Sequence, residues 1–170
     1  MIMSRIGLVC LAVFALLDRA IAAEDGCQKF AWSVASEQAW FAAPDKHIFA
    51  TGDALAALPK AAFTVKLLPA GEAAFALPPE RKPRSDRWFG GMLRLPALDR
   101  AGIYQVTLSE EAWIDIVQDG RYARPVGSTG RSDCPGIRKS VRLELGPSPF
   151  VAQLSAVATP VIVMAIVQPE

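Results

Sequence analysis

At 170 residues, just over half of them apolar, the chain has the length of one domain and enough apolar material to bury a core. Its formal charge is +1, and removal of the first 22 residues leaves 16 basic against 16 acidic side chains. That balance excludes the long-range positive field on which binding to nucleic acid or to an anionic membrane draws. Asparagine is absent, so there is no N-glycosylation acceptor. Arginine (12) outnumbers lysine (6) in an alanine-rich chain, the usage of a GC-rich, bacterial genome.

The N-terminus reads as an export signal. Arg5 precedes a twelve-residue apolar stretch, Ile6 to Leu17, too short to span a bilayer comfortably. Ala20-Ile21-Ala22 then offers small residues at the spacing a signal peptidase accepts. Residues 1–22 are therefore expected to be removed, leaving 23–170 as a single periplasmic or secreted domain with no stable membrane insertion. Val9 before Cys10 and the polar stretch before Cys27 argue against a lipid anchor. The mature chain keeps two cysteines, Cys27 and Cys134, and an even count in an exported protein predicts one disulfide.

Along the mature chain, Phe30 to Val34 is a short apolar run, and Ser36 is placed to N-cap a helical turn through Trp40 and Phe41. Ala54 to Ala62 is alanine-rich, with the makings of a short helix interrupted by Pro59. From Phe63 the pattern turns to period two. Phe63, Val65 and Leu67 form one strand, and Ala73 to Leu77 a second, stopped by Pro78-Pro79. Residues 80–87 are charged and read as an exposed loop. Trp88 to Leu98 resumes as a strand, with Gly90-Gly91 marking a bulge or a close backbone approach. Ile103 to Ser109 and Ala112 to Gln118 are strands, and Asp119-Gly120 is a strong turn signal. Val126 to Gly136 is Gly/Ser-rich; Val141, Leu143 and Leu145 mark a half-buried strand. Phe150 to Ser155 and Pro160 to Val167 close the chain as strands, the last nearly all apolar. Eight or nine short strands with turns about every ten residues predict an all-β fold, an antiparallel, jelly-roll-like β-sandwich with a short N-terminal helical segment.

Histidine occurs once, at His47. One histidine cannot supply a 2-His-1-carboxylate iron site or a zinc site built on two or three histidines, so no metal and no cofactor are expected. A Ser-His-Asp triad through His47 lacks a Gly-x-Ser-x-Gly elbow. The remaining candidates lie near the Asp-Gly turn. Trp113 and Asp115 are two apart and share a strand face, and Tyr122 follows the turn and is placed to fold back beside them. A Trp, a Tyr and a carboxylate on one face suit a small polar ligand such as a saccharide. The opposing possibility is that Trp113 is core and that Asp115 caps a neighbouring loop through backbone N–H groups. The basic run Arg81, Lys82, Arg84, Arg87 beside Trp88-Phe89 has the composition of an anion patch, but Glu80, Asp86 and Pro83 favour a solvated loop. The Arg138-Lys139 pair is too small to carry weight.

The stretch Ala101 to Leu108, then Trp113-Ile114-Asp115, then the apolar ending Val161 to Val167, resembles the bacterial pre-peptidase C-terminal domains and their carbohydrate-binding-like relatives. The resemblance spans roughly residues 90–168 and implies an accessory or binding role without catalysis; this chain departs from it in the cysteine pair and in having no protease or hydrolase partner domain. The expectation is thus an exported, non-catalytic binding or accessory protein, its partner an envelope protein or a small polar ligand. The alternative is an envelope enzyme, either a carboxylate-dependent hydrolase or a degenerate cupin-like oxygenase.

Overall fold

The computed structural model describes residues 26–169. The expected signal segment 1–22 lies outside the described residues, as does Cys10. A 3₁₀ turn (Gly26–Lys29) and one short helix, α1 (Ala35–Ala42), precede eleven strands. These are β1 (Ile48–Ala50), β2 (Phe63–Lys66), β3 (Leu68–Pro69), β4 (Phe89–Leu95), β5 (Gly102–Leu108), β6 (Trp113–Gln118), β7 (Arg121–Tyr122), β8 (Pro125–Gly130), β9 (Lys139–Leu145), β10 (Phe150–Val157) and β11 (Val161–Val167). They form a six-stranded sheet, ordered β1-β2-β11-β5-β9-β8, and a five-stranded sheet, ordered β3-β4-β10-β6-β7.

Period-two alternation decides which residues face inward. Tyr104, Val106 and Leu108 of β5, Val141, Leu143 and Leu145 of β9, and Ile162, Met164 and Ile166 of β11 are buried from one sheet. Leu93 and Leu95, Ile114 and Ile116, and Ala152 and Leu154 are buried from the other, and all of these belong to one hydrophobic cluster. The loss of exposed apolar surface on both inner faces at once is the main force holding the sheets together.

Several expectations are corrected. There are eleven strands because β1, β3 and β7 are three residues or shorter, too brief to show a period, and because the Gly/Ser-rich β8 is an edge strand without apolar alternation. The pairing is not wholly antiparallel: β1 runs parallel to β2, as does the isolated bridge Ala54–Arg94. Helix α1 is capped by Val34 rather than Ser36, with Ser33 Oγ accepting from the Ala35 N–H at 3.3 Å. Residues 54–62 form no helix; Leu55 instead donates to Arg94 O at 2.9 Å. Ala73 to Leu77 is not a strand. The expected bulge lies opposite the glycines, in β10 between Leu154 and Val157, where Ala156 takes a φ of 58°. Gly91 is required by close approach, since a Cβ there would fall 2.1 Å from Thr51 Oγ1. The Asp119-Gly120 turn forms as expected, with φ values of 52° and 74° joining β6 to β7.

The N-terminal segment packs on the outer face of the six-stranded sheet. Gln105 and Thr107, which alternate with the core residues of β5, point to that face and bond to the buried Glu37 of α1. Thr107 Oγ1 also meets Ser140 Oγ at 3.1 Å, and Ser140 Oγ accepts from Trp32 Nε1 at 2.8 Å. A Cys27–Cys134 disulfide, Cα to Cα 4.5 Å, ties the segment down beside a second small cluster of Phe30, Val34 and Ile137. Such a bond is consistent with a non-cytosolic protein. Among the described residues, no helix is long and apolar enough to cross a membrane.

Candidate functional site

The outer face of the five-stranded sheet carries the residues singled out from the sequence. On β6, Trp113, Asp115 and Val117 point outward while Ile114 and Ile116 enter the core. Their cross-strand partners on β10 are Ser155, Gln153 and Val151. Asp115 and Gln153 are both buried, and a buried carboxylate or amide in mid-strand has to be hydrogen-bonded or it destabilises the fold.

The partners come from the chain itself. The segment 70–88, between β3 and β4, crosses this face as a strap. Gln153 Oε1 accepts from the N–H groups of Ala76 (3.2 Å) and Leu77 (3.4 Å), and Gln153 Nε2 donates to Leu77 O at 2.9 Å. Two residues further on, Asp115 Oδ2 accepts from the Glu80 N–H at 3.2 Å and from Gln153 Nε2 at 3.4 Å. Asp115 Oδ1 accepts from Trp113 Nε1 at 2.6 Å. The Tyr122 hydroxyl donates to Pro78 O. Desolvation foremost, then the carboxylates of Asp115 and Glu80, raise the Tyr122 phenol above its ordinary range, so it stays a proton donor at neutral pH. Two side chains thus act as a surrogate strand for 76–80, which is why Ala73 to Leu77 needs no place in a sheet. The structure brings Trp113, Asp115 and Tyr122 to one region, and the polar groups of Asp115 and Tyr122 are occupied by the strap.

Beyond Glu80 the strap turns along Trp113 and leaves a groove of about 520 Å³. Arg81, Lys82, Arg84, Arg87 and Lys139 line it, and Glu111 is the one carboxylate in its lining. The two aromatic walls are Trp88 and Trp113. Trp113 holds cations: the Arg81 guanidinium lies 5.3 Å and the Lys139 ammonium 5.4 Å from its ring centroid. The Lys139 side chain is only 13% exposed, donating to Ala112 O at 2.6 Å and pairing with Glu111 at 3.4 Å. The bulge residues Ala156 and Val157 supply part of the wall. Beside them, the buried Ser155 Oγ has no hydrogen-bond partner among the described residues.

The run Arg81 to Arg87 is exposed, as the sequence suggests, yet it forms one side of a concave site. Lys139 and Gln153 escape sequence reasoning. Lys139 looks like half of a minor basic pair until β9 sets it beside Trp113. Gln153 carries the same signal as Asp115, a polar residue in mid-strand, but its partner at 76–77 is distant in sequence. His47 is exposed, stacks on Phe49 at 4.4 Å and takes no part in the groove. Among the described residues, no three of His, Cys, Asp or Glu stand together as a metal-binding group. A scan of family models finds none that matches the chain, and searches of curated proteins and of solved structures find no match either.

Proposed function

We propose that the chain is an exported, non-catalytic binding protein whose groove between segment 81–88 and β6 takes an anionic ligand. The carrying observation is the concentration of charge: five cations against one carboxylate line a single concavity, in a mature chain whose formal charges cancel. Two tryptophans confine the groove, and low-dielectric walls strengthen a charge-assisted hydrogen bond inside it.

Strand order supports a jelly-roll-like sandwich as the scaffold. Taking β2, β11, β5 and β9 from one sheet and β4, β10, β6 and β7 from the other, the chain moves between sheets in the alternating fashion of a jelly roll. Export is supported by the apolar stretch and the Ala-x-Ala site together with the disulfide. N-terminal sequencing of the mature protein should begin at Ala23, and a product beginning at Met1 refutes this. The non-catalytic assignment is supported by the carboxylates: Asp115 is committed to the strap and Glu111 is paired with Lys139, so no pair of acids faces the groove. A neutral saccharide is less suited than an anion, because Trp113 already carries two cations and Asp115 has no lone donor to spare.

The test is charge discrimination. Calorimetric titration of the mature protein should show hexanoate binding, weakened as salt is raised, and no binding of hexylammonium. The double variant Arg84→Glu, Arg87→Glu, both at exposed positions, should weaken hexanoate by roughly tenfold or more while leaving stability within about 0.5 kcal/mol. Equal binding of hexanoate and hexylammonium would defeat the proposal.

A further inference from the structure

A second cavity opens beside the groove, between the two sheets rather than on the outer face. Its walls are the inward residues Ile114 and Ile116 of β6 and Val141 and Leu143 of β9, one pair from each sheet. It sits where the chain passes from β7 to β8, that is, from the five-stranded to the six-stranded sheet. Ala123 and Pro125 of that crossing complete it, and β8 is bulged between Pro125 and Gly127 just there. The slot measures about 140 Å³. Trp113 and Lys139 line both this slot and the basic groove, so the two cavities adjoin at those residues.

From this juxtaposition we infer that the ligand is a short aliphatic carboxylate, its charge at Lys139 and the groove cations and its hydrocarbon chain in the slot. The inference rests on the proposed anion groove and adds the second half of the ligand. An anion alone gains nothing from an apolar cleft between Ile116 and Leu143, and a hydrocarbon alone gains nothing from five cations. A molecule with one charged end and one apolar end satisfies both, because Lys139 stands at their common border. Length is limited by volume. A group the size of a water takes up about 30 Å³, so the slot holds roughly four or five such groups. That favours a free short-chain acid over the long acyl chain of a membrane lipid.

The experiment titrates the full mature protein with acetate, butyrate, hexanoate and octanoate. Each methylene buried in the slot should tighten binding by about fourfold, with the gain levelling off near octanoate once the slot is full. A flat series, in which hexanoate is still preferred to hexylammonium, overturns the slot and leaves the groove standing. Loss of that preference overturns the groove itself. Sedimentation with phosphatidylglycerol vesicles separates the two sources of an acyl anion: the protein should stay in solution, and vesicle binding together with a flat series overturns the assignment. Ala123→Leu, which fills the slot, should flatten the length dependence and keep the charge preference. The series on the unaltered protein decides the matter even if that variant does not fold.

Discussion

Opening the Cys27–Cys134 bond should cost the folded protein about 4 to 5 kcal/mol, the largest effect expected of any single change to this chain. The bond spans 107 residues of sequence, and on the chain-entropy account a loop of that size removes roughly that much freedom from the unfolded state. At about 2–4 °C per kcal/mol for a domain of this size, the melting temperature should fall on the order of 10 °C in reductant. The double variant Cys27→Ala, Cys134→Ala should match it. Local effects should follow as well. The bond anchors the segment that presents Glu37 to Gln105 and Thr107 and Trp32 to Ser140, a network which, once loosened, leaves buried donors on the outer face of β5. Trp32 emission should therefore shift to the red on reduction before global unfolding. Alkylation of the native protein without reductant should add no label. A fall of less than about 1 kcal/mol would mean that Glu37 and the small apolar cluster hold the segment without the crosslink.

How far the fold is legible in the sequence depends on where each residue finds its partner. In Tyr104-Val106-Leu108 and Val141-Leu143-Leu145 the face is set by alternation alone, and both strands form as read. Asp119-Gly120 likewise carries its conformation in its own two residues. Ala73 to Leu77 has the composition of a strand, but its backbone groups bond to the Gln153 side chain, an acceptor about 76 residues away that no local pattern announces. The edge strand β8 is glycine- and serine-rich because its exposed face asks for no apolar residues, so it gives no periodic signal. The candidate site behaves in the same way. Arg81 to Arg87 is visible as a basic run, and Trp113 and Asp115 are visible as face-mates. What makes a groove of them is the strap that lays the run beside Trp113 and the strand pairing that brings Lys139 to the same ring.

Asp115→Ala should destabilise the protein by about 1 to 3 kcal/mol and, unlike a surface charge change, should also disturb the groove. The carboxylate takes three donors: Trp113 Nε1, the Glu80 N–H and Gln153 Nε2. Removing it leaves them buried or half-buried without an acceptor, and the penalty for unmade bonds exceeds the modest net value of the bonds themselves. Asp115→Asn should fall between the parent and the alanine variant, since its amide keeps one acceptor but turns a donor towards another donor. Gln153→Ala removes the other clamp on the same strap, so the two losses should not add. Once either clamp is gone the strap is partly released, and a double-mutant cycle should show coupling of about 0.5 kcal/mol or more. The strap ends in Arg81 to Arg87, so its release should expose 76–87 to proteolysis and weaken hexanoate, whereas Arg84→Glu with Arg87→Glu weakens hexanoate at unchanged stability. That contrast separates a residue that positions the site from residues that touch the ligand. An Asp115→Ala protein within about 0.5 kcal/mol of the parent, with 76–87 still protected, would show that the strap stays seated without the carboxylate, and Asp115 would then have to be reconsidered as a contact for the ligand itself.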